Sequence, residues 1–328
     1  MGIIDKAINA AHINDVKGRV SHNCYSSPYA YHIPSKSNTE SSTGNVHPNA
    51  IQETDESIHS DYCILSSLFP RMCVRNTMFT KSNSFKEITS PSTMLNNEIR
   101  YIAHRVFHSN YCNDLTRSVA ITGIKPSEGV STISLALSLL VATEQHRPVF
   151  LIDSSINSSK SLSDYSMHDN PKHDNPNAYG LTDFLARRIN QQDFFANCIR
   201  CKDIPLILIP RGTIDSSSAG LISGTEMQNL ISMLSSLVSD SIVIIDTPPI
   251  LSCSASVAIS EFVDKLAIVA DASTTTASLI ETALSVLIPF TQGSQDVSIQ
   301  RQKYLSKIGF ILNNTNPHDS TGKFMYCH

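Results

Sequence analysis

From residue 94 onward, short continuous apolar runs alternate with segments of helical periodicity, and few architectures accept that alternation. Apolar runs at 118–122, 149–152, 206–209, 241–245, 265–269 and 307–312 read as buried strands. Segments 94–110, 131–143, 181–188, 225–238 and 277–286 read as helices. Strands that are apolar throughout, separated by helices, predict a mostly parallel, doubly wound α/β sheet covered on both faces. A ligand then belongs at the carboxyl ends of the strands.

The flanks of this region differ. Ile3, Ile4, Ala7, Ile8 and Ala11 recur at helical spacing, so residues 1–20 are expected to carry a short amphipathic helix. Residues 21–93 turn to Ser, Asn, His and Thr without sustained periodicity and are expected to form a disordered linker. A folded domain at 94–316 and a flexible tail at 317–328 complete the organisation. Across 328 residues, 41% apolar content suffices for a substantial core. No apolar run reaches the roughly 18 residues that a spanning helix needs, and the first residues lack the apolar stretch of a signal peptide, so a cytoplasmic chain is expected. A formal charge of −4 with no dense Lys/Arg block gives no electrostatic footprint for nucleic acid. The eight cysteines are scattered, and Cys198 and Cys201, the one closely spaced pair, lack the further ligands of a zinc site.

Three chemistry-bearing elements fall at the ends of predicted strands. The first is the loop Gly123-Ile-Lys-Pro-Ser-Glu-Gly-Val-Ser-Thr132, which lies between a strand and a helix. It has the pattern of a phosphate-binding loop, in which backbone N–H groups and a helix N-terminus hold phosphates and Ser/Thr holds Mg²⁺. Gly129, Ser131 and Thr132 are in place, but Val130 stands where the lysine belongs. The second and third elements are Asp153 after Val149-Phe-Leu-Ile152, and Asp246 in Ile244-Ile-Asp-Thr-Pro-Pro249. Singly, an Asp after an apolar strand reads as a turn residue. In this order, the three together read as a nucleotide site.

These motifs resemble the Walker A, A′ and B motifs of the bacterial tyrosine kinases, within the deviant-Walker class of P-loop ATPases that includes the Min and Par proteins. The likeness continues through Tyr179-Gly-Leu-Thr-Asp-Phe-Leu185, Leu208-Ile-Pro-Arg-Gly212 and Gly309-Phe-Ile-Leu-Asn-Asn314. It also takes in Glu98-Ile-Arg100, similar to a helix motif of ring assembly. The opening nine residues are similar to the start of autokinases of exopolysaccharide and exosortase systems. The resemblance implies Mg-ATP as cofactor, with phosphates held by Ser127, Glu128, Gly129, Val130, Ser131 and Thr132, and Asn313 on the adenine side. It implies Mg²⁺ held by Ser131, Asp153 and Asp246, with Asp153 able to accept a tyrosine proton. It also implies homo-oligomers and a membrane chain-length regulator or co-polymerase as partner, which would place the chain at the inner membrane.

The sequence departs from this pattern where charge matters most. Val130 removes the loop's cation, Ser127 replaces a glycine, Ser155 an aspartate and Asn157 an arginine. Losing one preorganised charge-stabilising group costs about 2.7–4 kcal/mol in the transition state. A degenerate tyrosine-autokinase-like protein with weak or absent phosphoryl transfer, regulating or assembling an exopolysaccharide system, is therefore expected. Two alternatives stand beside it. One is an active autokinase in which Lys125 compensates for Val130, and the other is a Min/Par-like positioning ATPase. The family's terminal tyrosine cluster is reduced to Tyr326, with Tyr304 upstream.

Overall fold

The computed structural model describes residues 73–75, 94–107, 116–159, 161–163, 179–201, 204–238, 240–288, 302, 304–315 and 324–326. The expected N-terminal helix lies outside them. Among the described residues, nine strands form one sheet: β1 (Cys73–Arg75), β2 (Ser118–Gly123), β3 (Val149–Asp153), β4 (Ile199–Cys201), β5 (Leu206–Ile209), β6 (Ile242–Asp246), β7 (Lys265–Asp271), β8 (Ile308–Asn313) and β9 (Phe324–Tyr326). Their spatial order is β1-β4-β5-β3-β6-β2-β7-β8-β9. The six strands from β5 to β8 in that order pair in parallel, while β4 and β9 join antiparallel on either side. The mostly parallel α/β sheet expected from the apolar runs is the fold observed.

Successive residues of each central strand serve opposite faces. Val119 and Ile121, Val149 and Leu151, and Ile242 and Ile244 enter one core. Ala120, Phe150 and Ile152, and Val243 and Ile245 enter the other. Both faces of the sheet therefore need a cover, which is why these strands carry no polar alternation. Helices α1 (Met94–Phe107) and α2 (Val130–Glu144) cover the first face. The second is covered by α3 (Leu181–Leu185), α4 (Gln191–Asn197), α5 (Ser218–Ile222), α6 (Thr225–Leu237), α7 (Ser254–Phe262) and α8 (Ala277–Leu287). Ten consecutive residues of α2, Ile133 to Ala142, are buried. It is enclosed between α1 and the sheet, so it is apolar all round rather than on one stripe. Its N-terminus follows the loop 123–129, which the sequence reads as phosphate-binding.

Strand β1 falls inside the segment read as linker, and β9 inside the segment read as tail. Each supplies only three residues to a sheet edge, too few for a periodicity to register in sequence.

Candidate functional site

Strands β3, β6 and β2 are adjacent, so the three elements that the sequence places at strand ends meet along one carboxyl edge. Asp153 is the register partner of Asp246, and Ile121 pairs with Asp246 on the other side. The turn after β6 is tied beneath the loop: Thr247 N–H donates to the Ile121 carbonyl at 3.0 Å and Ile250 N–H to that of Gly123 at 2.8 Å.

The loop has the shape that phosphate binding requires. Gly129 adopts φ 88° at the N-cap of α2, and Ser127 adopts φ 70°. The left-handed conformation suits glycine and costs a side-chain-bearing residue about 1–2 kcal/mol, so Ser127 is strained where the resemblance has glycine. The Ile133 N–H closes the first turn on the Gly129 carbonyl at 3.0 Å, leaving the preceding amides of α2 at the helix start. Val130 and Ser131 are half-buried, Thr132 is exposed, and Val130 packs on the core beneath.

Several predicted contact residues prove to brace the loop. The buried Glu128 carboxylate accepts from Ile124 N at 2.6 Å, Lys125 N at 3.1 Å and the Thr275 hydroxyl at 2.6 Å. Asn313 donates its amide to the Glu128 carbonyl at 2.9 Å, so it pins the loop from below. A Cβ at position 129 would lie 2.4 Å from that amide, so a side chain there would displace Asn313 and also strain a backbone at φ 88°. Lys125 donates to the Thr274 carbonyl at 2.9 Å, which ties it to the turn after β7.

The two acids have opposite surroundings. Asp153 is fully buried and accepts from Ser155 N, Ser155 Oγ, Ser161 Oγ and Leu162 N at 3.1, 2.5, 2.7 and 2.8 Å. Asp246 is also fully buried, yet neither carboxylate oxygen has a hydrogen-bond partner among the described residues. Burial, and then the charge of Asp153, push Asp246 well above the usual carboxylate range. The Ser131 and Ser155 hydroxyls and the Arg211 charge oppose the shift, but neither hydroxyl makes a bond of normal geometry to it. A buried, unpartnered carboxylate beside a loop serine fits a hydrated Mg²⁺. No cluster of three or more His, Cys, Asp or Glu suited to a metal occurs among the described residues. Cys198 and Cys201 are buried and outside any disulfide, and burial raises the Cys198 pKa.

Arg211 is a site residue whose role sequence reasoning missed. Its Nη1 donates to the carbonyls of Ser155 at 3.1 Å and Ser158 at 2.7 Å, so its charge enters the loop after β3. Its position at the carboxyl end of β5 was the available signal. The two glycine-containing segments around Gly180 and Gly212 form one lock. Leu181 N–H donates to the Pro210 carbonyl at 2.8 Å, and the buried Asp183 carboxylate accepts from Gly180 N at 3.0 Å and Thr213 N at 2.9 Å. The lock orients Arg211. Tyr304 is committed elsewhere, with its hydroxyl bonded to Ser260 and its pKa raised by burial. Arg100, from the expected assembly motif, grips Glu144 of its own chain with two bonds of 2.7 Å.

Comparison with known proteins agrees with this geometry. The chain is 27% identical to tyrosine-protein kinase ptk of Acinetobacter johnsonii over 197 residues, which is 60% of this chain and 23% of that one. The resemblance to the bacterial tyrosine kinases is borne out. This chain thus spans less than a quarter of that relative's length. The chimerical protein CapA2B2 superposes with a TM-score of 0.56 at 18% identity, covering 76% of this chain and 97% of that one. The kinase domain of the Escherichia coli tyrosine kinase ETK gives 0.53 at 19%, covering 76% and 86%. The VpsO kinase domain gives 0.51 at 22%, covering 71% and 96%. These structures share the fold. No protein-family model matches the chain, and no helix among its described residues is long and apolar enough to cross a membrane.

Proposed function

We propose that this chain is a degenerate tyrosine-autokinase-like protein that holds a nucleotide and transfers phosphate weakly or not at all. In this reading it regulates or assembles an exopolysaccharide biosynthesis or export system. The observation that carries the reading is the loop itself: its left-handed turn and braces at Glu128, Gly129 and Asn313 are intact, but Val130 occupies the cation's position. Backbone phosphate contacts do not depend on the side chain at 130. Charge neutralisation on the transferring phosphate does depend on it.

The amides from Ser127 to Thr132 would cradle the phosphates, and the Ser131 hydroxyl with Asp246 would hold Mg²⁺. Held by these residues, Mg²⁺ would supply charge neutralisation on the phosphates. The Lys125 ammonium on the Thr274 carbonyl weighs against its standing in for the missing lysine within one chain. The likeness to kinase domains also supports self-association and a membrane co-polymerase partner at the inner membrane.

The test is a calorimetric titration of wild type and Val130→Lys with Mg-ATP. Weak wild-type binding, tightened at least about tenfold by the new lysine, is expected from the 2.7–4 kcal/mol scale of such groups. Indifference of binding to Val130→Lys would sink the reading.

A further inference from the structure

We propose that the two site acids have diverged in role: Asp153 anchors the 154–162 turn, and Asp246 alone remains to bind a cation. The inference rests on the nucleotide-site reading and deepens it.

An ionised carboxylate offers about four acceptor positions. Asp153 fills them within its own turn, two on Oδ1 from Ser155 and two on Oδ2 from Ser161 and Leu162. One of these donors, the Ser155 hydroxyl, belongs to a residue that replaces an aspartate of the related motif, so the substitution that removes a charge also seals its neighbour. Arg211 closes the turn from outside through the Ser155 and Ser158 carbonyls. A metal ion or a tyrosine hydroxyl could reach Asp153 only by displacing these bonds. Asp246, its register partner one strand away, has neither oxygen hydrogen-bonded among the described residues. Its backbone carbonyl is occupied, by Ser154 N at 2.9 Å and Ser154 Oγ at 2.7 Å, which fixes the strand end while leaving the carboxylate. A buried carboxylate without donors is costly to the protein alone and is satisfied by an external cation. The site therefore holds a cation with one acid and has no second acid positioned to take an acceptor's proton.

The experiment compares full-length wild type, Asp153→Asn, Ser161→Ala and Asp246→Asn by thermal unfolding without ligand and by electron paramagnetic resonance titration with Mn²⁺ alone. Asp153→Asn should lower Tm by on the order of 5 °C and Ser161→Ala by about half of that, with Mn²⁺ affinity of both within about threefold of wild type. Asp246→Asn should retain or raise Tm and weaken Mn²⁺ binding at least about tenfold. Should Asp153→Asn fail to fold, Ser161→Ala carries the comparison. The proposal is overturned if the Asp153 or Ser161 variant keeps its Tm while losing Mn²⁺ as Asp246→Asn does, or if wild type binds no Mn²⁺. Neither result bears on autophosphorylation or ATP titration, by which the broader reading is judged separately.

Discussion

Ser127 and Asp246 each hold a conformation or burial that the folded chain alone does not favour. Ser127 sits at φ 70° in the loop, so Ser127→Gly should relieve about 1 kcal/mol of strain and raise Tm by about 2–4 °C. A calorimetric scan showing a fall instead would mean that the Ser127 side chain contributes more than its strain costs. Asp246 titrates higher in the folded state than its ordinary 3.8. The folded protein then binds more protons than the unfolded chain from about pH 4 upward, so this group lowers stability as pH rises until it ionises in the fold. Asp246→Asn should gain on wild type progressively as pH rises above about 4, until Asp246 ionises in the fold, in urea unfolding at fixed salt. A difference independent of pH would contradict the assignment.

At the scale of elements, the lock between the segment before α3 and the end of β5 depends on two glycines in contact. A Cβ on Gly180 would lie 2.2 Å from the Pro210 carbonyl and 2.5 Å from Gly212 N. Gly180→Ala should therefore destabilise by about 2–4 kcal/mol and loosen Arg211, giving faster proteolysis near residue 158 than in wild type. Much of this level was legible beforehand. The strands β2, β3, β5, β6, β7 and β8 were readable because burial on both faces makes them continuous apolar runs, and α2 and α8 because they are long. The short helices α4, α5 and α7 were not, since five to nine residues make at most about two and a half turns and such helices take their stability from packing; α3, equally short, was read only as part of a longer segment. The candidate site was legible in its membership. Its wiring was not: sequence order says nothing of Asn313 meeting the Glu128 carbonyl across 185 positions, or of Ser161 turning back on Asp153.

For the whole molecule, a kinase-like fold keeps a braced loop and a metal-compatible acid, while its loop cation is valine and its other acid is enclosed. In the reading proposed above, such a protein registers a nucleotide without turning it over. Self-association gives a further expectation. With Arg100 bonded to Glu144 on its own surface, an exposed ion pair of the kind that adds little to stability, Arg100→Ala should barely change Tm, and sedimentation at several concentrations would report any part it takes in assembly. The central claim concerns transfer. The most direct measurement incubates purified full-length protein with Mg-ATP labelled at the γ-phosphate and follows label on tyrosine, beside Val130→Lys. The account predicts no appreciable label on wild type and, with Asp153 enclosed, little on the lysine variant even where ATP binding is tightened. Rapid labelling of wild type at Tyr326 or any other tyrosine would contradict it.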